Sequence, residues 1–259
     1  MKKHKRETHV SHSAVPRRRT GFWFRFLTMA AVVLAVVCCV TLFFQVQEIR
    51  VAGNHLYTEE QIADASGISM GDNLVSIKKA NAASLIRSTL PFVESVHIER
   101  ILPDAVEITV TESDVTFAFR AQNETYYLMN TQGKILEEIQ TANASDYPNV
   151  EGLTVSEPTV GAMIYVAEGE EENETAALKL MQLLCDYGIA GAVRQIDVAK
   201  PYDLRLLYGS QFEVMLGGSD NLEYKIEYLV AVLEQLGEDQ AGIIDLTFEE
   251  EKTARFQPY

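Results

Sequence analysis

The sequence is poor in the features on which many functions depend. It has 3 cysteines in 259 residues. Two of them, Cys38 and Cys39, sit inside an uncharged apolar run where they act as small hydrophobes, which leaves Cys185 without a partner for an intrachain disulfide. No disulfide framework is available, so the folded part must be held by its cores alone. Excess positive charge is also lacking. Against 37 Asp+Glu there are 22 Lys+Arg, a formal net charge of -15. Such a chain cannot supply the positive field that holds a phosphate backbone, which excludes nucleic acid as a general partner. Phosphate-cradling P-loop and G-x-G-x-x-G patterns and the G-x-S-x-G nucleophile pattern are absent. The five histidines, His4, His9, His12, His55 and His97, form no pair with metal-ligand spacing beside a carboxylate. No cofactor is implied.

The charge that is present is split. Residues 1–25 carry eight basic residues and one acid, Glu7, and the remaining chain carries the whole negative excess. At the boundary lie 21 residues without a formal charge, Phe26 to Val46. A helix of that length spans about 31 Å, which matches a bilayer core. A cleaved signal peptide has a shorter apolar core and a small-residue cleavage site, whereas this run exits through Leu42-Phe43-Phe44-Gln45. The expectation is an uncleaved anchor whose basic flank stays cytoplasmic while the bulk is translocated, a single-pass type II arrangement. The composition of residues 1–20 favours disorder.

Residues 47–115 read as strand, helix, helix, strand, strand. Gly53-Asn54 is a turn pair, Thr58-Glu59-Glu60-Gln61 is a capping box, and a second helix is expected at about Asn81 to Leu90, closed by Pro91. Alternation predicts strands over Val93 to Ile101 and Ala105 to Thr111, joined by a hairpin at Leu102-Pro103-Asp104, with His97 turned away from Val96 and Ile98. Residues 116–248 read as short strands with two amphipathic helices, a break from Pro148 to Gly152, and an acidic run Glu168 to Glu174 that reads as a solvated loop favouring a helix start. The helices are placed at Ala177 to Leu184 and Leu222 to Leu236. The last strand is placed at Ile243 to Phe248, followed by a C-terminal segment over 249–259. The fold class is therefore α+β: one transmembrane helix (26–46), a β-α-α-β-β domain (47–115) and a mixed-sheet β domain with two packed helices.

The segments VQEIRVAGNHLYTEEQIADASGI and GDNLVSIKKANAASLIRSTLPFVESVHIERILPDAVEITVTES resemble a POTRA domain of the FtsQ/DivIB family of bacterial cell-division proteins. The later segments YYLMNTQGKIL, YPNVEGL, GSQFEVMLGG, LEYKIEYLVAVLEQL and IIDLTF are similar to the hairpin, strand and helix signals of that family's β domain. Leu102 stands where an aromatic often precedes the proline, and the proline usual after Glu112 is absent. The resemblance implies a non-enzymatic scaffold at the division septum that binds the small single-span protein FtsB/DivIC, alongside FtsL, through its C-terminal region. Phe248 and Phe256 match aromatic positions there, with Lys252 between them as a third candidate contact. At Thr247 the family often has a basic residue. From physics alone, a final strand exposes unpaired N–H and C=O groups that an extended partner can complete, so the last β segment is a candidate docking edge. The alternatives are that both aromatics complete the β-domain core, and that the chain is an anchored cell-wall hydrolase or protease.

Overall fold

The structure, a computed structural model, describes residues 20–236, 240–247 and 255–258. The basic tail and its expected disorder lie outside them. Helix α1 runs over Thr20–Phe43. Within it Phe22–Phe43, 22 residues of mean hydropathy 2.7 with none of its surface buried by the rest of the chain, is long and apolar enough to cross a membrane. The helix starts earlier and stops sooner than the uncharged run suggests. The reason is that Phe44 and Val46 belong to the next domain: Phe44 packs against its core and Val46 is fully buried in it.

That domain is a three-stranded sheet covered by two helices. Strand β1 (Glu48–Ala52) leads into α2 (Glu59–Ser66) and α3 (Lys79–Thr89), then β2 (Val93–Ile101) and β3 (Ala105–Glu112). The sheet order is β1-β3-β2, with β1 parallel and β2 antiparallel to β3. The start of α2 and the turn after β1 follow the expected chemistry, whereas α3 begins without a side-chain cap, two residues ahead of the expected Asn81. The Thr58 hydroxyl accepts from the Gln61 N–H (3.2 Å) and the Gln61 side chain accepts from the Thr58 N–H (2.9 Å), a complete capping box. At Gly53, φ is +79° and a Cβ would lie 2.2 Å from the Val110 carbonyl oxygen, so only glycine lets the turn close against β3. Ile62, Leu74, Ile86, Val93, Val106 and Ile108 are buried between helices and sheet. His97 is on the exposed face of β2, 2.9 Å from Glu99, as the alternation requires.

Glu112, the last residue of β3, is the one buried acid of this domain among the described residues. Its carboxylate accepts the backbone N–H groups of His55 (2.8 Å), Leu56 (2.5 Å) and Tyr57 (3.2 Å). The loop after β1 is thereby tied to the end of β3 by three charge-assisted bonds, which compensate the burial of the charge.

The second domain is a nine-stranded sheet in the order β12-β11-β10-β9-β8-β7-β4-β5-β6. Its strands are β4 (Phe117–Arg120), β5 (Tyr126–Met129), β6 (Ile135–Ile139), β7 (Asn149–Glu151), β8 (Val193–Asp197), β9 (Leu204–Tyr208), β10 (Phe212–Gly217), β11 (Gly242–Asp245) and β12 (Arg255–Pro258). Helices α4 (Glu171–Asp186) and α5 (Leu222–Leu233) share one core with the sheet, which includes Phe117, Phe119, Leu180, Met181, Val214, Ile226 and Ile244. The segment expected as a break, Pro148 to Gly152, instead contains β7, a central strand parallel to both β4 and β8. Three residues with one buried side chain, Val150, give no periodicity to read.

The acidic run is partly structural. The Glu170 carboxylate accepts from both the N–H and the hydroxyl of Thr154, at 2.7 Å each, while Glu171, Glu172 and Glu174 occupy the first turn of α4, where the helix dipole favours them.

The two domains meet at the end of the first one farthest from α1. Phe92 packs on a small cluster of Ala118, Leu128 and Leu136 on the sheet face away from the helices. Lys134 Nζ donates to the carbonyls of Arg87 (3.0 Å) and Val93 (3.4 Å), and Glu94 accepts from Ser113 Oγ (2.6 Å) and Asn130 Nδ2 (3.4 Å). Burial holds the Lys134 ammonium below the usual lysine range, with the Arg87 charge acting in the same direction and Glu94 opposing it.

Candidate docking edge

The strand expected to form the sheet edge is not at the edge. β11 is flanked on both sides, parallel to β10 (Phe212↔Gly242, Val214↔Ile244) and antiparallel to β12 (Gly242↔Pro258, Ile244↔Phe256). Among the described residues, β12 ends the sheet. A sequence reading stops at Ile243 to Phe248 because those residues are a strong apolar strand signal, whereas Arg255–Pro258 is a polar tetrapeptide ending in proline.

β12 reaches its place because residue 242 has no side chain. A Cβ on Gly242 would lie 2.2 Å from the Gln257 carbonyl oxygen and 2.9 Å from the Phe256 ring. The ring itself is half-buried, 6.2 Å between centroids from Phe212 at an interplanar angle of 59°, and it packs on the main core of the domain. Phe256 therefore faces the core, which is one of the two readings the sequence left open for it. Phe248 and Lys252 lie outside the described residues.

The ladder decides which backbone groups are offered outward. The N–H groups of Gly242 and Leu246 donate to Gln211 and Met215 carbonyls on the β10 side, both at 2.9 Å. By alternation Ile243 and Asp245 turn toward β12, opposite Gln257 and Arg255. Phe256 and Pro258 then direct their own backbone groups to the free side. The outward face of β12 thus offers one N–H, from Phe256, and two carbonyls, because Pro258 has no N–H to give. A short edge closed by proline limits indiscriminate strand pairing while leaving room for one short extended segment.

Other surfaces of the described residues offer less chemistry. A cleft of about 310 Å³ between α2 and α3 is lined by Ser66, Ile68, Asp72, Lys78, Asn81 and Leu85, among others, with Asp72 and Lys78 its charged groups. No group of three or more His, Cys, Asp and Glu side chains among the described residues is placed to hold a metal ion. Cys185 is half-buried, and burial, reinforced by Asp186, pushes its thiol up to about 11, so at neutral pH it is a thiol rather than a nucleophilic thiolate.

A helix long and apolar enough to span a bilayer, running directly into a β-α-α-β-β unit and then a mixed sheet with two helices on one face, gives the architecture of a POTRA protein with a candidate membrane anchor. Comparison with known proteins makes the assignment finer. Residues 44–113 match the FtsQ-type POTRA domain, and residues 118–247 match the C-terminal domain of the cell division proteins FtsQ/DivIB. The chain belongs to the FtsQ/DivIB family. It is similar to the cell division protein DivIB of Clostridium botulinum, 24% identical over 220 residues that cover 84% of each chain. It is also similar to the cell division protein FtsQ of Corynebacterium glutamicum, 24% identical over 211 residues covering 80% of this chain and 86% of that one. The family boundary at 44 coincides with the end of α1, and the boundary at 247 falls between β11 and β12.

Proposed function

We propose that the protein is a non-enzymatic scaffold of the bacterial division machinery, anchored by α1 in a type II orientation at the septum, which recruits small single-span partners of the FtsB/DivIC and FtsL kind. The observation that carries this reading is the built edge of the β domain. β12 is seated by the Phe256–Phe212 contact and by the gap at Gly242, and it turns backbone groups outward that no other strand among the described residues takes up. An extended segment of the FtsB/DivIC partner adds to that edge, with main-chain bonds supplying affinity. In this reading Phe256 acts by holding the strand in place. Phe248 and Lys252, outside the described residues, are assigned to the same partner-binding set. The acidic surface elsewhere keeps the anchored domains soluble and disfavours unspecific pairing.

The test is copurification of the full-length chain with an FtsB/DivIC-type partner from membranes. Phe256→Ala, alone and with Phe248→Ala, is expected to lose the partner while the POTRA domain and the rest of the sheet remain folded. Normal copurification by the double variant contradicts the edge as the docking site. The rival class, a cell-wall hydrolase or protease, is tested by incubating the purified protein with peptidoglycan and with unfolded protein substrates. Turnover of either would overturn the scaffold reading.

A further inference from the structure

The junction between α1 and the POTRA domain contains no linker. The Phe44 N–H still donates to Val40 in the last turn of the helix (3.2 Å), yet the Phe44 side chain already packs against the POTRA core. The next residues are bonded to two loops. Gly71 N–H donates to the Val46 carbonyl (2.8 Å), Val46 N–H to Asp72 (2.9 Å), and Leu74 N–H to Phe44 (2.8 Å). The N–H groups of Gln47 and Glu48 donate to the Asp104 carbonyl in the β2–β3 turn, at 2.8 and 3.3 Å.

A 22-residue span is about 33 Å long and fills a bilayer core of about 30 Å, which puts Phe43 at the hydrocarbon boundary. Five further residues, 44–48, reach at most about 17 Å from there, and the first loop is already bonded at Phe44 and Val46, within about 10 Å. The headgroup layer beyond the core is itself about 5–8 Å thick. The loops bonded to residues 44–48 must therefore lie in or against that layer.

Both loops carry large apolar side chains that the protein leaves uncovered. Met70 is 64% exposed and Val75 52% exposed on the first loop, and Leu102 is 64% exposed on the second. Cations lie beside them. Lys78 and Lys79 are exposed where the first loop enters α3, and Arg100, at the end of β2, donates to the Ile77 carbonyl, which draws the two loops together. The acids of this pole are Asp72, engaged with the Ser69 N–H, Asp104, Glu48, which is paired with Arg50 at 2.7 Å, and Glu99, which is 2.9 Å from His97 and close enough to Lys79 to feel its charge. The opposite pole, where Glu112 holds the loop over Gly53 to Tyr57, faces away from α1.

We propose that this membrane-facing pole of the POTRA domain is a lipid-contacting rim, in which Met70, Val75 and Leu102 enter the interfacial layer of the leaflet where α1 ends and Lys78, Lys79 and Arg100 meet lipid phosphates. The occupant is the bilayer surface itself. Amphipathic insertion beside a transmembrane helix uses large apolar side chains flanked by Lys and Arg, and this pole presents both. The consequence is a POTRA domain fixed in orientation, so that the junction with the β domain and the β12 edge project away from the bilayer at a set height.

The sequence supplies a clean probe, because Trp23 is the single tryptophan. In a full-length Trp23→Phe background reconstituted in phospholipid vesicles, Met70→Trp and Leu102→Trp each place one tryptophan on the rim. Leu56→Trp places one at the opposite pole of the same domain, at a position of similar exposure, 58%. The rim tryptophans should emit at shorter wavelength than the one at 56 and be quenched several-fold more by lipid brominated on its acyl chains. Adding anionic lipid to neutral vesicles should increase the quenching if the three cations take part. All three sites are exposed, so the substitutions remove no core contact. Unchanged amide protection of β3 confirms that each variant is folded. Emission and quenching at 70 and 102 equal to those at 56 overturns the proposal, and quenching at only one of the two overturns the rim as described.

Discussion

A single methyl group at residue 242 should detach the edge strand. In Gly242→Ala the new Cβ falls 2.2 Å from the Gln257 carbonyl oxygen and 2.9 Å from the Phe256 ring, and no main-chain contact of that kind survives below about 3.0 Å. What holds β12 is modest. Two bonded pairs, Ile243↔Gln257 and Asp245↔Arg255, exchange up to four backbone hydrogen bonds. At about 1 kcal/mol each, with about 1–2 kcal/mol for partial burial of the Phe256 ring, the gross gain is about 5–6 kcal/mol. Ordering four residues costs about 4–8 kcal/mol in backbone entropy. The strand is therefore close to balance, and an overlap that separates it from β11 tips it off while β4 to β11 remain. The assay is amide hydrogen exchange on the full-length chain. Protection at the amides of Arg255 and Gln257 should fall at least tenfold, protection in β9 and β10 should stay, and copurification of the FtsB/DivIC-type partner should be lost with it. Gly191→Ala, where a Cβ meets nothing within 4 Å, serves as the control. Unchanged protection of β12 in Gly242→Ala, or loss of β12 with partner binding intact, refutes the reasoning.

Three further perturbations follow from the geometry. Glu112→Ala leaves three backbone N–H groups of the loop over residues 55–57 without their acceptor, and should destabilise the POTRA domain by about 3 kcal/mol, read as a lower midpoint in urea unfolding; a change below about 0.5 kcal/mol contradicts the assigned role. Lys134→Ala removes both bonds from β6's leading turn to Arg87 and Val93, and limited proteolysis should then cut between the domains several-fold faster, with each domain's own core unchanged. Cys185 has its thiol raised to about 11 by burial, so in a Cys38→Ala/Cys39→Ala background alkylation should be slow at pH 7.5 and accelerate steadily as pH rises toward that value; rapid labelling at neutral pH refutes it.

Much of the POTRA architecture was legible in the sequence because its signals are local. A capping box, a turn glycine, a closing proline and two alternating strands each report their own few residues, and all were found in place. In the sequence Glu112 is only the residue after which the family's usual proline is absent. Its work, collecting three N–H groups from residues more than fifty positions away, is a tertiary fact with no local trace. β7 escapes a sequence reading because three residues carry no period, and Asn173, inside the acidic run, is buried and donates to the Gly152 and Ala199 carbonyls that bracket the β7–β8 region. The anchor's end was misplaced by three residues because hydropathy does not distinguish a side chain facing lipid from one facing a protein core. The candidate site was half legible. Phe256 is legible as a large apolar residue among charges, but the strand around it is polar, and Gly242, which admits it, gives no signal except the absence of a side chain.

The most direct test of the docking edge is a site-specific photocrosslink in dividing cells. A photoreactive amino acid at Gln257, exposed on β12, is compared with one at Glu137, exposed on β6 at the other end of the sheet. The account predicts a covalent adduct with the FtsB/DivIC-type partner from position 257 and none from position 137. An adduct from 137 with none from 257 would contradict it and move the docking site to the opposite end of the β domain.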